Sequence, residues 1–173
     1  ALLEQLYKLT PLEDSFGINA VALVDGQPRT LGLKEMLEVF LQHRFDVVRR
    51  RSQFRRDRAA DRLHLVDGLL IAILDIDEVI QLIRSSENAP AAKERLRSVF
   101  DLSEIQADYI LDMPLRRLTK FSRLELETEQ SELQRTIEEL EAILGDEKLL
   151  RKVVADELSQ IAKQHGTPRR TVL

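Results

Sequence analysis

From Leu33 to Leu74 the chain contains no proline and a single glycine, Gly68. Read as one helix, that stretch would extend on the order of 60 Å at ~1.5 Å per residue, longer than a small domain is wide. Its middle, Arg44 to Arg62, holds eight Arg against Asp46, Asp57 and Asp61, a local charge of +5. Phe40, Val47 and Phe54 recur every seven residues, and Leu33, Leu37, Leu63, Val66, Leu70 and Ile73 extend the apolar stripe. A helix this long with one narrow apolar face has to find a partner along its length.

The partner is written further along the same chain. From about Lys120 to Leu144, Leu126, Leu133 and Leu140 are seven apart, with Ile137 and Leu144 at the alternating seam positions. Arg123 to Glu141 carries seven Glu against two Arg, a local charge of −5. About sixty residues separate the two charged segments. The expected arrangement is an antiparallel helical pair with a compact region at its tip. Apolar contact along the seam would supply most of the stability, at roughly 25 cal/mol per Å² buried. Exposed ion pairs would add about 0–1 kcal/mol each but would favour the right register. The fold class expected is therefore mainly α: a long antiparallel two-helix coiled coil with a small helical globule at its tip.

One β-hairpin is expected near the N-terminus. Ile18 to Val24 is the clear β-type run, Asp25-Gly26 is a hairpin turn signal, and Pro28 confines the second strand to an edge. Ala1 to about Leu9 reads as the end of a helix stopped at Thr10-Pro11. Between the long helices come short ones: Glu78 to Arg84 with Asp77 as N-cap, Ala91 to Phe100 opened by Pro90, and Glu104 to Asp112 capped by Ser103. Pro114 interrupts and opens a further turn through Leu118. Gly145 ends the returning helix, Asp146 caps a last one over Glu147 to His165, and Gly166-Thr167-Pro168 closes it.

Composition limits the function classes. Charged residues make up 32% of the chain and aromatics 5%, a bias that suits long exposed helices. A net charge of −4 argues against nucleic-acid binding by the whole chain while leaving local patches open. Without cysteine there are neither disulfides nor thiolate metal sites. No apolar run reaches transmembrane length or has the pattern of a signal peptide. The opening Ala1-Leu2-Leu3-Glu4-Gln5-Leu6, helical in pattern and without an initiator Met, reads as the interior of a longer protein.

Two local features invite stronger readings. Arg49-Arg50-Arg51 with Arg55, Arg56 and Arg58 could form a DNA-contacting basic helix, but the compensating Glu-rich helix lies in the same chain. Asp75-Ile76-Asp77-Glu78 could mimic an acidic Mg²⁺ site, but helix capping accounts for it. His43, His64 and His165 have no ligand spacing, and no glycine-rich phosphate loop occurs. Tyr7 and Tyr109 lack a neighbouring basic activator in sequence and read as packing or interface residues.

An ordered set of short motifs then carries a resemblance. Leu6-Tyr7-Lys8-Leu9-Thr10, Ser15-Phe16-Gly17-Ile18-Asn19 and Val24-Asp25-Gly26-Gln27-Pro28-Arg29 open it. Asp46-Val47-Val48-Arg49-Arg50-Arg51, Arg62-Leu63-His64-Leu65-Val66-Asp67-Gly68-Leu69 and Asp77-Glu78-Val79-Ile80 with Leu82-Ile83-Arg84 follow. Gln106-Ala107-Asp108-Tyr109-Ile110-Leu111-Asp112, Leu115-Arg116-Arg117-Leu118 and Gly166-Thr167-Pro168-Arg169-Arg170-Thr171 complete it. Together they resemble the A subunit of bacterial type IIA topoisomerases, DNA gyrase and topoisomerase IV, over essentially the whole chain.

The resemblance implies five parts: 1–32 as the end of the tower domain with its hairpin, 33–74 as the descending coiled-coil helix, 75–118 as a helical dimerisation globule, 119–165 as the returning helices, and 166–173 as an extended segment. It implies a homodimeric exit gate, or C-gate, through which a transported duplex leaves after passing a transient double-strand break. Candidate interface anchors are Ile105, Tyr109, Met113 and Leu115; the expected seam is Phe40, Val47, Phe54, Leu126, Leu133, Ile137 and Leu140. The family's nucleophilic tyrosine follows an arginine; Tyr7 follows Leu6 and Tyr109 follows Asp108, so no catalytic residue is expected here. ATP and Mg²⁺ are implied only through the B subunit, with no cofactor or metal in this segment. The implied partners are a second copy, duplex DNA and the B (ATPase) subunit, with no membrane and a cytoplasmic, nucleoid-associated location.

Pro114 departs from the family pattern, where a longer polar residue is expected, and no large insertion lies between Phe100 and Ser103. The segment does not separate gyrase from topoisomerase IV. Two readings from other classes stand beside this one: a stand-alone coiled-coil adaptor for protein partners, and a basic-helix DNA-binding module.

Overall fold

The computed structural model describes residues 2–114 and 120–170. The elements in chain order are α1 (Leu2–Leu9), β1 (Val21–Val24), β2 (Gln27–Thr30), α2 (Leu33–Leu74), α3 (Ile76–Ser85), α4 (Ala89–Phe100), α5 (Glu104–Leu111), α6 (Lys120–Gly145) and α7 (Glu147–His165). The chain divides into two compact units, Ala1–Arg44 and Phe45–Leu173, with α2 continuous across the boundary.

In the first unit, β1 and β2 pair antiparallel with Val24 opposite Gln27 and Leu23 opposite Pro28. Asp25 and Gly26 both take positive φ, 51° and 78°, as a two-residue turn matching strand twist requires. Leu31 N–H bonds Ala20 C=O at 2.9 Å, which puts the hydrogen-bonded pairs at 20/31, 22/29 and 24/27. Pro28 falls in a non-hydrogen-bonded pair, so its missing N–H breaks no ladder bond. The start of α2 is closed by Glu35, whose Oε2 accepts from Gly32 N–H at 3.1 Å.

In the second unit α2 packs against α6 and α7, running antiparallel to them. Arg62 meets Glu129, Arg56 meets Glu141 and Arg51 meets Glu157, so rising numbers on one side meet falling numbers along α6 and then α7 on the other. One buried cluster holds Val48, Leu150 and Val154 with Phe45, Ile143, Val153 and Leu158 around it. A larger one forms the tip: Leu69 and Ala72 of α2, Val79 and Leu82 of α3, Leu96 of α4, Leu102, and Ala107 and Ile110 of α5. Leu126 of α6 packs against it.

The buried face of α2 is offset from the stripe expected. In this unit it passes through Phe45, Val48, Ser52, Ala59, Val66 and Leu69, and Phe45, Ser52, Ala59 and Val66 are themselves seven apart. Val47 and the α6 positions Leu126, Leu133, Ile137 and Leu140 are half-buried. Phe54, 62% exposed, lies off the contact face with the Arg58 guanidinium 5.8 Å from its ring centroid; Phe40 is 48% exposed. Two seven-residue repeats coexist in α2, and hydrophobicity alone favours the one with Phe40, Val47 and Phe54. The small Ser52 and Ala59 instead allow close approach while Arg51, Arg56 and Arg62 reach across to glutamates.

The short helices follow local signals. Asn88 caps α4, its side chain accepting from Ala91 N–H, with Pro90 in the first turn. Asp146 caps α7 through Lys148 N–H at 2.8 Å. For α3 the N-cap is Asp75, not Asp77, and it makes no side-chain cap bond. Asp77 and Glu78 sit in the first turn, where the helix dipole favours negative charge.

Candidate functional site

The tip is organised around α5. Ser103 and Gln106 form a reciprocal capping box: Ser103 Oγ accepts from Gln106 N–H at 3.2 Å, and Gln106 Oε1 accepts from Ser103 N–H at 2.9 Å. The Gln106 side chain then reaches α2, its Nε2 donating to the His64 carbonyl at 2.6 Å. His64 Nε2 and Ser103 Oγ share a further hydrogen bond of 2.7 Å. This close seating needs Gly68: a Cβ there would lie 2.7 Å from Gln106 Cγ and 2.9 Å from Gln106 Cβ. A mid-helix glycine costs roughly 1 kcal/mol relative to alanine, and here it gives the space that α5 occupies.

The outer side of α5 is tied to α4 by Lys93, whose Nζ donates to Glu104 at 2.6 Å and Asp108 at 2.8 Å. The Asp108 bond first, and then the Glu104 bond, raise the Lys93 ammonium pKa; Lys93 in turn holds the Glu104 carboxyl below its usual range.

The inner side of α5 meets the helical pair at Arg62. Its Nε and Nη2 donate to the two carboxylate oxygens of Glu129 on α6, at 2.6 and 2.9 Å. The remaining arm, Nη1, donates to the Tyr109 hydroxyl at 3.2 Å. One guanidinium thus joins α2, α6 and α5 through the bidentate geometry that only arginine offers. The Glu129 bond chiefly raises the Arg62 pKa, and Arg62 lowers that of Glu129. Beside this bridge is an open cleft of about 320 Å³ lined by Leu69, Tyr109, Met113, Glu125 and Leu126 together with the two charged partners.

The four anchors expected at the interface have different surroundings. Ile105 projects from α5 with 66% of its surface exposed. Tyr109 is half-buried, its ring against the tip core and its hydroxyl committed to Arg62. Met113 is half-buried against the same core and lines the cleft. Leu115 lies outside the described residues. Sequence reasoning missed the Arg62–Glu129–Tyr109 bridge and the Gly68–Gln106 contact. The opposite charges of the two long helices marked the first in outline, and a lone glycine inside a long helix was a usable signal for the second.

Among the described residues no group of three or more His, Cys, Asp or Glu side chains could hold a metal ion. No described helix is long and apolar enough to cross a membrane. The described geometry joins helices to one another and leaves apolar surface at the tip.

Comparison with known proteins adds to this geometry. The family model for the A subunit of DNA gyrase/topoisomerase IV matches residues 1–159. The A subunit of DNA gyrase from Staphylococcus aureus strain MRSA252 is 51% identical over 170 residues, and that of strain NCTC 8325 is 50% identical over 170. Each alignment takes in 98% of this chain and 19% of the relative, so the chain spans about a fifth of their length.

Proposed function

The chain belongs to the A-subunit family of DNA gyrase and topoisomerase IV, and from that premise we propose that it forms the exit gate and coiled-coil arm of a type II DNA topoisomerase. The observation that carries this reading is the exposed Ile105 on a tip whose interior is well packed, at the end of an antiparallel helical arm. The tip meets its copy through the same patch on both chains, the economical geometry for a two-fold gate. Val99, 52% exposed on α4, adds apolar surface to the same unit. The arm holds the gate away from the site of DNA cleavage, so a transported duplex leaves when the two tips part.

In this reading the chemistry lies elsewhere in the protein. The family's nucleophilic tyrosine follows an arginine, whereas Tyr7 follows Leu6 and Tyr109 follows Asp108, so no catalytic step is assigned to this segment. ATP and Mg²⁺ act through the B subunit, duplex DNA is the substrate, and the assembly works in the cytoplasm with the nucleoid. A basic-helix DNA module is disfavoured because Arg49, Arg51, Arg56 and Arg62 each face a carboxylate within the chain.

The test is the mass of the chain in solution. Sedimentation equilibrium at micromolar concentration is expected to give a dimer that Ile105→Asp converts to monomer with unchanged helicity. A strict monomer for the unsubstituted chain would overturn the reading.

A further inference from the structure

We propose that Tyr109 is a positioning residue that relays the setting of the α2/α6 pair to the outer surface of α5, through the Arg62 guanidinium. The inference rests on the exit-gate reading for its purpose, though not for its geometry. Arg62 is held by two bonds to Glu129, so its position reports where α6 lies against α2. Its third contact is the hydroxyl of Tyr109, on the helix that carries Ile105 one turn earlier. A shift of α6 along α2 therefore pulls on α5 through three side chains, Glu129, Arg62 and Tyr109.

Three features make this a two-position device. The bond to Tyr109 is the longest of the three Arg62 contacts, at 3.2 Å against 2.6 and 2.9 Å, so it is the one that yields first. The cleft of about 320 Å³ beside it, floored by Leu69, Met113 and Leu126, gives the ring room to turn without entering the core. α5 is also held to α4 by Lys93 and, one turn before Tyr109, to α2 by the Gln106–His64 contact, so releasing Tyr109 tilts the helix without detaching it. Coupling of this kind needs an element with two arrangements that both ends can bias.

The chain has no cysteine, so two can be introduced as spin-label sites without background. Asp112→Cys at the C-terminal end of α5 and Gln134→Cys on α6 are both exposed. Labelled chains are diluted into unlabelled ones, so that only distances within a chain are read. A single narrow distance distribution is expected for the parent, broadened about twofold by Tyr109→Phe, by Arg62→Lys and by Glu129→Gln. Tyr109→Phe keeps the ring and its packing and removes only the hydroxyl. An unchanged width in Tyr109→Phe, with helicity retained, overturns the relay. If that variant loses helicity, Arg62→Lys decides in its place, since it keeps the charge and loses the fork. Sedimentation of the same samples separates the two ideas. A monomeric parent sinks the gate while leaving the relay standing, whereas a dimer with unchanged widths sinks the relay alone.

Discussion

A methyl group on Gly68 would stand 2.7 Å from Cγ of Gln106, closer than any stable carbon contact. Gln106 cannot swing aside cheaply, because its amide is fixed at both ends, to Ser103 N–H and to the His64 carbonyl. Gly68→Ala therefore sets helix propensity against packing. Propensity favours alanine by about 1 kcal/mol, and overpacking costs about 1–3 kcal/mol. The expected outcome is a net loss on the order of 1 kcal/mol, a fall in Tm of roughly 2–4 °C. Gln106→Ala made in the Gly68→Ala background should recover part of it. Calorimetry on the three variants checks this, and a higher Tm for Gly68→Ala alone would show that α5 is not seated against α2 as described.

The choice between the two seven-residue repeats of α2 is equally open to measurement. Leu150 is 3% exposed, in the cluster with Val48 and Val154, and Leu150→Ala should cost about 2–5 kcal/mol. Phe54 is much larger, but it is 62% exposed and touches the Arg58 guanidinium. Phe54→Ala should cost about 1 kcal/mol or less, the worth of an exposed cation–π contact and little else. Urea unfolding of both variants gives the comparison; a larger loss at Phe54 would restore the phenylalanine register.

Those two cases mark what was legible in the sequence and what was not. The hairpin followed from Asp25-Gly26, and the caps at Ser103 and Asp146 followed from residue type and spacing, because these are local effects settled within a few residues. That the Arg-rich helix packs against the Glu-rich one was readable from their opposite charge; that its first half faces α7 instead, through Val48, Leu150 and the Arg51–Glu157 pair, was not. The rotation of α2 about its axis was not, since that depends on how closely backbones approach, and small residues such as Ser52 and Ala59 give no hydrophobic signal. The site divided in the same way. Tyr109 was singled out as an interface anchor, while its hydroxyl bond to Arg62 joins residues 47 positions apart and has no signature in either neighbourhood.

The Arg62–Glu129 pair predicts a pH dependence. Arg62 holds the Glu129 carboxyl below its ordinary 4.5, so the pair contributes stability above that value and loses it as the pH falls through the depressed folded value. Both side chains remain about a third exposed, 38% and 35%, and solvent screening limits the contribution to about 1 kcal/mol or less. The difference in urea midpoint between the parent and Glu129→Gln should be largest near neutrality and narrow steadily below about pH 4.5. Glu104 titrates in both proteins and cancels from the difference. A gap that stays constant down to low pH would mean that the substitution acts through packing and not through charge.

Between Arg49 and Arg58 the contact face of α2 has one buried residue, Ser52, whereas Val66, Leu69 and Ala72 are all buried further along. Opening the helix locally at this neck exposes little apolar surface. Among the described residues the neck is cross-linked by the part-buried pair Arg51–Glu157 and by a 3.8 Å contact from Arg56 to Glu141, and solvent-accessible ion pairs of this kind contribute about 0–1 kcal/mol each. Amide exchange should therefore be roughly tenfold or more faster over residues 50–58 than over 66–72, with a further increase in high salt as the cross-links are screened. Mass-spectrometric exchange on the intact chain resolves the two peptides. If the arm bends as a lever, this neck is where the bend occurs; slower exchange there than at Val66 to Ala72 would place the bend outside it.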